Sequence, residues 1–148
     1  MSKSTRRPMP IPHWWKSRYS SAVTDGDPLI VAAEDVPTTV ATSQYDMKVP
    51  WSEIDAYRHT NYTSYVRFCF DAAADAVNSG RYVTFDGDVL RYNVASVQLL
   101  YKSESRANDT LSIISWQSPD DSRELHFSIH KDNGPLLFQS CMRFYQLT

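Results

Sequence analysis

Cysteine, glycine and net charge are all scarce in this chain, and each shortage closes off a class of function. The 148 residues hold two cysteines, Cys69 and Cys141, with no Cys-x-x-Cys or other metal-type spacing. That excludes a disulfide framework and a zinc-finger type of site, and both are read as small buried thiols in a reducing compartment. No basic residue is patterned around either to activate it. The four glycines form neither a phosphate-cradling loop nor a Gly-x-Ser-x-Gly elbow, which removes nucleotide hydrolysis and the Ser-triad hydrolases. A formal net charge of −2 gives no electrostatic footing for nucleic acid or an acidic membrane as partner. No apolar run approaches the ~18 residues of a membrane span.

What is present describes a soluble globular domain. The apolar share is 42% and the charged share 22%, and the length is enough for one domain with a real core. Residues 1–40 stand apart. They show little periodicity and carry five of the eight prolines (Pro8, Pro10, Pro12, Pro28, Pro37), so they read as an arm ahead of a domain over 41–148. Lys3, Arg6, Arg7, Lys16 and Arg18 all precede the first acid, Asp25. A basic start suggests a targeting peptide, but Pro8, Pro10 and Pro12 prevent the amphipathic helix such a peptide needs. A cytoplasmic location is expected, with organelle targeting as the alternative. Trp14 and Trp15 are a pair of large aromatics in a polar arm, suited to packing on the domain or a partner subunit, or to acting as a lid.

From Gln44 the pattern changes. Tyr45, Met47 and Val49 alternate with Asp46 and Lys48 as a half-buried strand does, and Pro50 ends it. A mostly apolar helix is expected over Val66 to Val77, with Gly80 as its stop. Its stripe of Tyr65, Cys69, Ala72, Ala73 and Ala76 is made mostly of small side chains, which let something approach the helix closely on that face. Strand-like runs follow at Arg81 to Phe85, Val94 to Ser103, Thr110 to Trp116, Glu124 to Lys131 and Leu136 to Tyr145. Turns lie at Asp86-Gly87-Asp88, Ser118 to Asp121 and Asp132-Asn133-Gly134. One long helix with an antiparallel sheet of about five or six strands is an α+β arrangement in which the sheet wraps the helix.

Between the first strand and the helix lies the most polar hinge in the chain, Trp51 to Tyr65. It places Asp55, His59 and Asn61 within seven residues, just ahead of a helix N-terminus, where unpaired N–H groups and the dipole favour a developing oxyanion. Each has a plain structural alternative, because Asp and Asn are preferred caps and Glu104, at a strand end, reads alone as a solvated acid.

Asp55-Ala-Tyr-Arg-His59-Thr-Asn61-Tyr-Thr-Ser-Tyr65 resembles the D-x-x-x-H-x-N-N-x-x-Y signature of hotdog-fold thioesterases, the group holding 4-hydroxybenzoyl-CoA and acyl-ACP thioesterases. Tyr101-Lys-Ser-Glu104-Ser105 resembles the Y-x-x-E-C segment of the acyl-ACP enzymes, and Asp109-Thr-Leu their D-x-L. The resemblance covers residues 44–148. It implies a hotdog fold, a homodimer or higher homo-oligomer, and hydrolysis of an acyl-CoA or acyl-ACP thioester without a cofactor, as in fatty acid metabolism. Asp55, His59, Asn61 and Glu104 would be catalytic and the backbone of Thr60, Asn61 and Tyr62 the oxyanion site. Tyr65, Cys69, Ala72 and Ala76 would line the acyl chain. The chain departs from the pattern at Tyr57, Tyr62 and Ser105, where the family has Asn, Asn and Cys. Those changes motivate a second reading, a non-catalytic acyl-binding or scaffold protein.

Hydratases of the same fold are less similar, since their Asp-to-His spacing is not that of Asp55 and His59. His126 and His130 suggest a metal pair, but four residues of strand span about 13 Å, too far for one ion. No metal is expected, and the histidines read as an exposed strand face.

Overall fold

The computed structural model describes residues 10–22, 30–82 and 84–146. Lys3, Arg6, Arg7, Pro8, Asp25, Pro28 and Val83, which entered the sequence reading, lie outside the described residues. Contacts divide the chain between Ile30 and Val31.

The N-terminal unit contains a short helix, α1 (His13–Tyr19), which the arm was not expected to hold. It begins directly after Pro12, whose fixed φ is tolerated at a helix start and forbidden further in. Trp15 and Tyr19 stack one turn apart at 4.6 Å, while Trp14 and Trp15 remain exposed.

The larger unit is built on five strands and one long helix, α2 (Ser64–Asn78). The strands are β1 (Thr42–Lys48), β2 (Val94–Tyr101), β3 (Thr110–Gln117), β4 (Glu124–Lys131) and β5 (Leu136–Phe144). They form one antiparallel sheet in the order β1-β3-β4-β5-β2, so β1 and β2 are its edges. This is the expected hotdog architecture.

Alternation makes the sheet two-faced. Leu111 and Ile113 of β3, Leu125, Phe127 and Ile129 of β4, and Phe138, Met142 and Phe144 of β5 bury against α2. On the helix, Cys69, Ala72, Ala73 and Ala76 are fully buried in that core. Their small side chains bring the helix axis close to the sheet, with Cys69 Sγ 3.5 Å from Ser140 Oγ on β5. Burial pushes the Cys69 thiol up to about 12, which makes it inert.

Gly80 ends the helix as expected. Its φ of +71° permits the paired bonds Gly80 N–H to Val77 O and Arg81 N–H to Ala76 O, which satisfy two terminal carbonyls. The described part of Arg81 to Phe85 is not a strand. Tyr82 and Phe85 both point into the core, and residues three apart on a strand face opposite sides. Tyr82 instead donates from its hydroxyl to Ser115 Oγ at 2.7 Å.

The β4–β5 hairpin turns on Asp132 and Asn133, with φ of +48° and +56°, closed by Gly134 N–H to Lys131 O at 2.7 Å. Both central residues thus take the left-handed conformation of a type I′ turn. Along the outer face of the sheet, the Glu34 backbone exchanges hydrogen bonds with the Gln139 side chain of β5.

Candidate active site at the start of α2

After β1, a 3-10 turn (Trp51–Glu53) leads into a closed loop. Ile54 pairs with Thr60, Asp55 N–H donates to His59 O at 2.8 Å, and Arg58 sits at φ +64°. The Asp55 carboxylate holds this loop from within, because Oδ1 accepts from the backbone N–H groups of Tyr57 (2.8 Å) and His59 (3.1 Å). Asp55 therefore caps the loop rather than the helix, and its Oδ2 takes no hydrogen bond among the described residues.

Asn61 is likewise engaged locally. Its Oδ1 accepts from the Thr63 N–H and hydroxyl, and Thr63, not Asn61, is the residue preceding the first helical turn. Glu53, which the sequence reading passed over, ties the loop to the helix through the Ser64 hydroxyl at 2.6 Å and an ion pair with Arg67.

The second motif reaches the same place through Ser105. Beyond β2, the Lys102 and Ser103 N–H groups donate to Leu137 O and carry the chain back along β5. Ser105 is then locked at the helix start. Its carbonyl accepts from Thr60 N–H at 2.8 Å, its hydroxyl lies 2.7 Å from Thr60 Oγ1 and 2.9 Å from the Tyr65 hydroxyl, and its N–H donates to that hydroxyl at 2.9 Å. All three residues are buried. One position earlier, Glu104 emerges with Oε1 3.2 Å from His59 Nε2. The His59 side chain is 13% exposed and that of Glu104 45%, so a shielded imidazole meets a carboxylate open to water.

These bonds decide which N–H groups remain for a ligand. Thr60 N–H is engaged by Ser105 O and Asn61 N–H by Glu53 O at 2.8 Å. Of the expected oxyanion donors, only Tyr62 N–H is without an acceptor among the described residues. Tyr65, Cys69, Ala72 and Ala76, expected to line the acyl chain, face the sheet and are buried in the core against it. Small residues on a helix accommodate any close neighbour, and here the neighbour is the protein's own core.

Beside His59 opens a cleft of about 340 Å³ lined by Trp51, Tyr57, Arg58, His59, Arg106 and Ala107. Trp51 and Tyr57 are 70% and 73% exposed, which leaves two flat rings and two guanidinium groups facing solvent at one opening. Such a set suits an anionic, partly planar group. Trp51 and Arg58 lie inside the polar hinge and Arg106 directly follows the second motif, so their positions were visible in the sequence, though not their convergence. The Tyr62 ring is exposed as well and stands edge-on to Tyr101, whose hydroxyl donates to Tyr62 O at 3.1 Å.

No protein-family model and no curated protein sequence matches the chain. Solved structures do. The 12:0-ACP thioesterase from Umbellularia californica superposes with a TM-score of 0.67 at 16% identity, over 99% of this chain and 53% of that one. A 1,4-dihydroxy-2-naphthoyl-CoA thioesterase from Synechocystis gives 0.57 at 11% identity, over 70% of this chain and 80% of its own. The DHNA-CoA thioesterase from Staphylococcus aureus gives 0.59 at 14%, over 70% and 72%. The chain thus has the fold of hotdog thioesterases, and it spans about half the length of the plant acyl-ACP enzyme.

Proposed function

We propose that this chain is a thioester hydrolase acting on an acyl group carried by CoA or acyl carrier protein. The observation that carries the reading is the 3.2 Å contact between His59 Nε2 and Glu104 Oε1, which joins two motifs 45 residues apart at the start of α2. A thioester asks little of an enzyme, because the thiolate is already a good leaving group. In the proposed reaction the Tyr62 N–H polarises the carbonyl, and Glu104, or Asp55 through its open Oδ2, removes a proton from the attacking water. His59 holds the carboxylate and water in line. The acyl–sulfur bond then breaks and the thiolate takes up a proton. Arg58 and Arg106 would receive phosphate groups of the carrier.

Thiol release from a panel of acyl-CoA and acyl-ACP thioesters tests the proposal. Turnover is expected, with Glu104→Gln and His59→Gln each lowering kcat and the double variant falling far less than the product of the two, as residues acting together do. Binding of thioesters without release would instead establish the non-catalytic reading. Asp55, whose Oδ1 serves its own loop, favours that alternative.

A further inference from the structure

The opposite, outer face of the sheet carries a second cluster. Glu124 and His126 are two apart on β4 and so share a face, and Cys141 is the direct cross-strand neighbour of His126 on β5. His126 Nε2 lies 3.2 Å from Glu124 Oε1 and 3.9 Å from Cys141 Sγ, and one ligand atom from each of the three falls within 4.8 Å of the others. We propose that Glu124, His126 and Cys141 bind one borderline-soft divalent cation, zinc being the best match, at a site remote from the start of α2.

The donor spacing fits. Tetrahedral zinc with N and O at about 2.0–2.1 Å and S at about 2.3 Å separates its ligands by about 3.3–3.6 Å, so the three side chains need adjust only slightly. A carboxylate, an imidazole and a thiolate together select zinc over magnesium or calcium, which prefer oxygen donors alone.

The surroundings orient the imidazole for the purpose. His126 Nδ1 is 3.1 Å from Glu34 Oε2, and the ring stacks on Trp116 at 5.3 Å and 11°. A neutral imidazole has one N–H. Given to Glu34, it leaves the Nε2 lone pair directed at a carboxylate oxygen and a sulfur, an arrangement that a cation between them would resolve. A carboxylate on the far nitrogen is also the usual support of a zinc-bound histidine. The occupied site would fasten the Glu34 segment to β4 and β5.

Cobalt(II) titrated into the chelator-stripped full-length chain gives the test. One equivalent is expected to produce a thiolate-to-cobalt charge-transfer band with the intense visible bands of tetrahedral coordination, and zinc is expected to displace it. Cys141→Ser should abolish the charge-transfer band, and Glu34→Gln should weaken binding about 10–100-fold, the scale for losing a carboxylate that holds the far nitrogen of a metal-bound histidine. Absence of the band in the wild-type chain, or its persistence in Cys141→Ser, would overturn the proposal. In that case His126 serves only as a hydrogen-bonded bridge between Glu34 and Glu124.

Discussion

Asp55 has one carboxylate oxygen committed to structure and one that takes no hydrogen bond among the described residues. Oδ1 holds the loop through two backbone N–H groups, while Oδ2 is left for other work. Asparagine keeps the oxygen acceptor and removes the base, so Asp55→Asn separates the two roles. We expect an unaltered melting temperature and a kcat at least about 10²-fold lower, the usual scale for losing an acid or base. Unchanged turnover would leave Asp55 with its loop alone.

Among the elements, α2 is defined by how close it lies to the sheet. Ala76 is fully buried, so Ala76→Leu must force extra methylenes into a filled core, costing about 1–3 kcal/mol. Urea unfolding should show this loss while the preference among acyl chain lengths stays fixed. A shift in chain-length preference at unchanged stability would restore the acyl-lining role of this face. The turn ahead of β4 gives a pH prediction. Asp121 accepts from the Arg123 N–H and from the Arg143 guanidinium on β5, and these bonds hold its carboxyl at about 2, below the usual 3.8. Since the folded value is the lower one, the stabilisation is present above 3.8 and disappears as pH falls towards 2. Asp121→Asn should flatten that segment of the acid unfolding curve, and an unchanged curve would refute the assignment.

For the whole molecule, the edges of the sheet matter most. β2 is an edge strand, and Val94, Val97 and Tyr101 on it are exposed. An unpaired edge with apolar side chains is an association surface. We therefore expect a homodimer, seen in light scattering as twice the 17.0 kDa monomer mass at micromolar concentration. A monomer under those conditions, with the amides on the unpaired side of β2 exchanging freely, would rule it out.

Those parts of the fold whose cause is local are legible in the residues themselves. Period-two alternation marked β1, β2 and β4, a run apolar on both faces marked β3, the Asp132-Asn133-Gly134 turn marked β5, Gly80 fixed the end of α2, and the Asp55 to Tyr65 pattern located the hinge, because turn chemistry and side-chain spacing act over a few residues. Arg81 to Phe85 was misread because a short run carries too few residues to separate a strand from an apolar loop. Which distant residues meet depends instead on how the whole sheet packs. The face of Ala72 and Ala76 is filled by the sheet, and Ser105 uses the Thr60 N–H that was expected to face an oxyanion. Glu104 reaches His59 because Ser105 is fastened to Tyr65. His126 has its neighbour in Cys141 rather than in His130, since strand register is set by packing of the whole sheet and leaves no mark at either position in the chain.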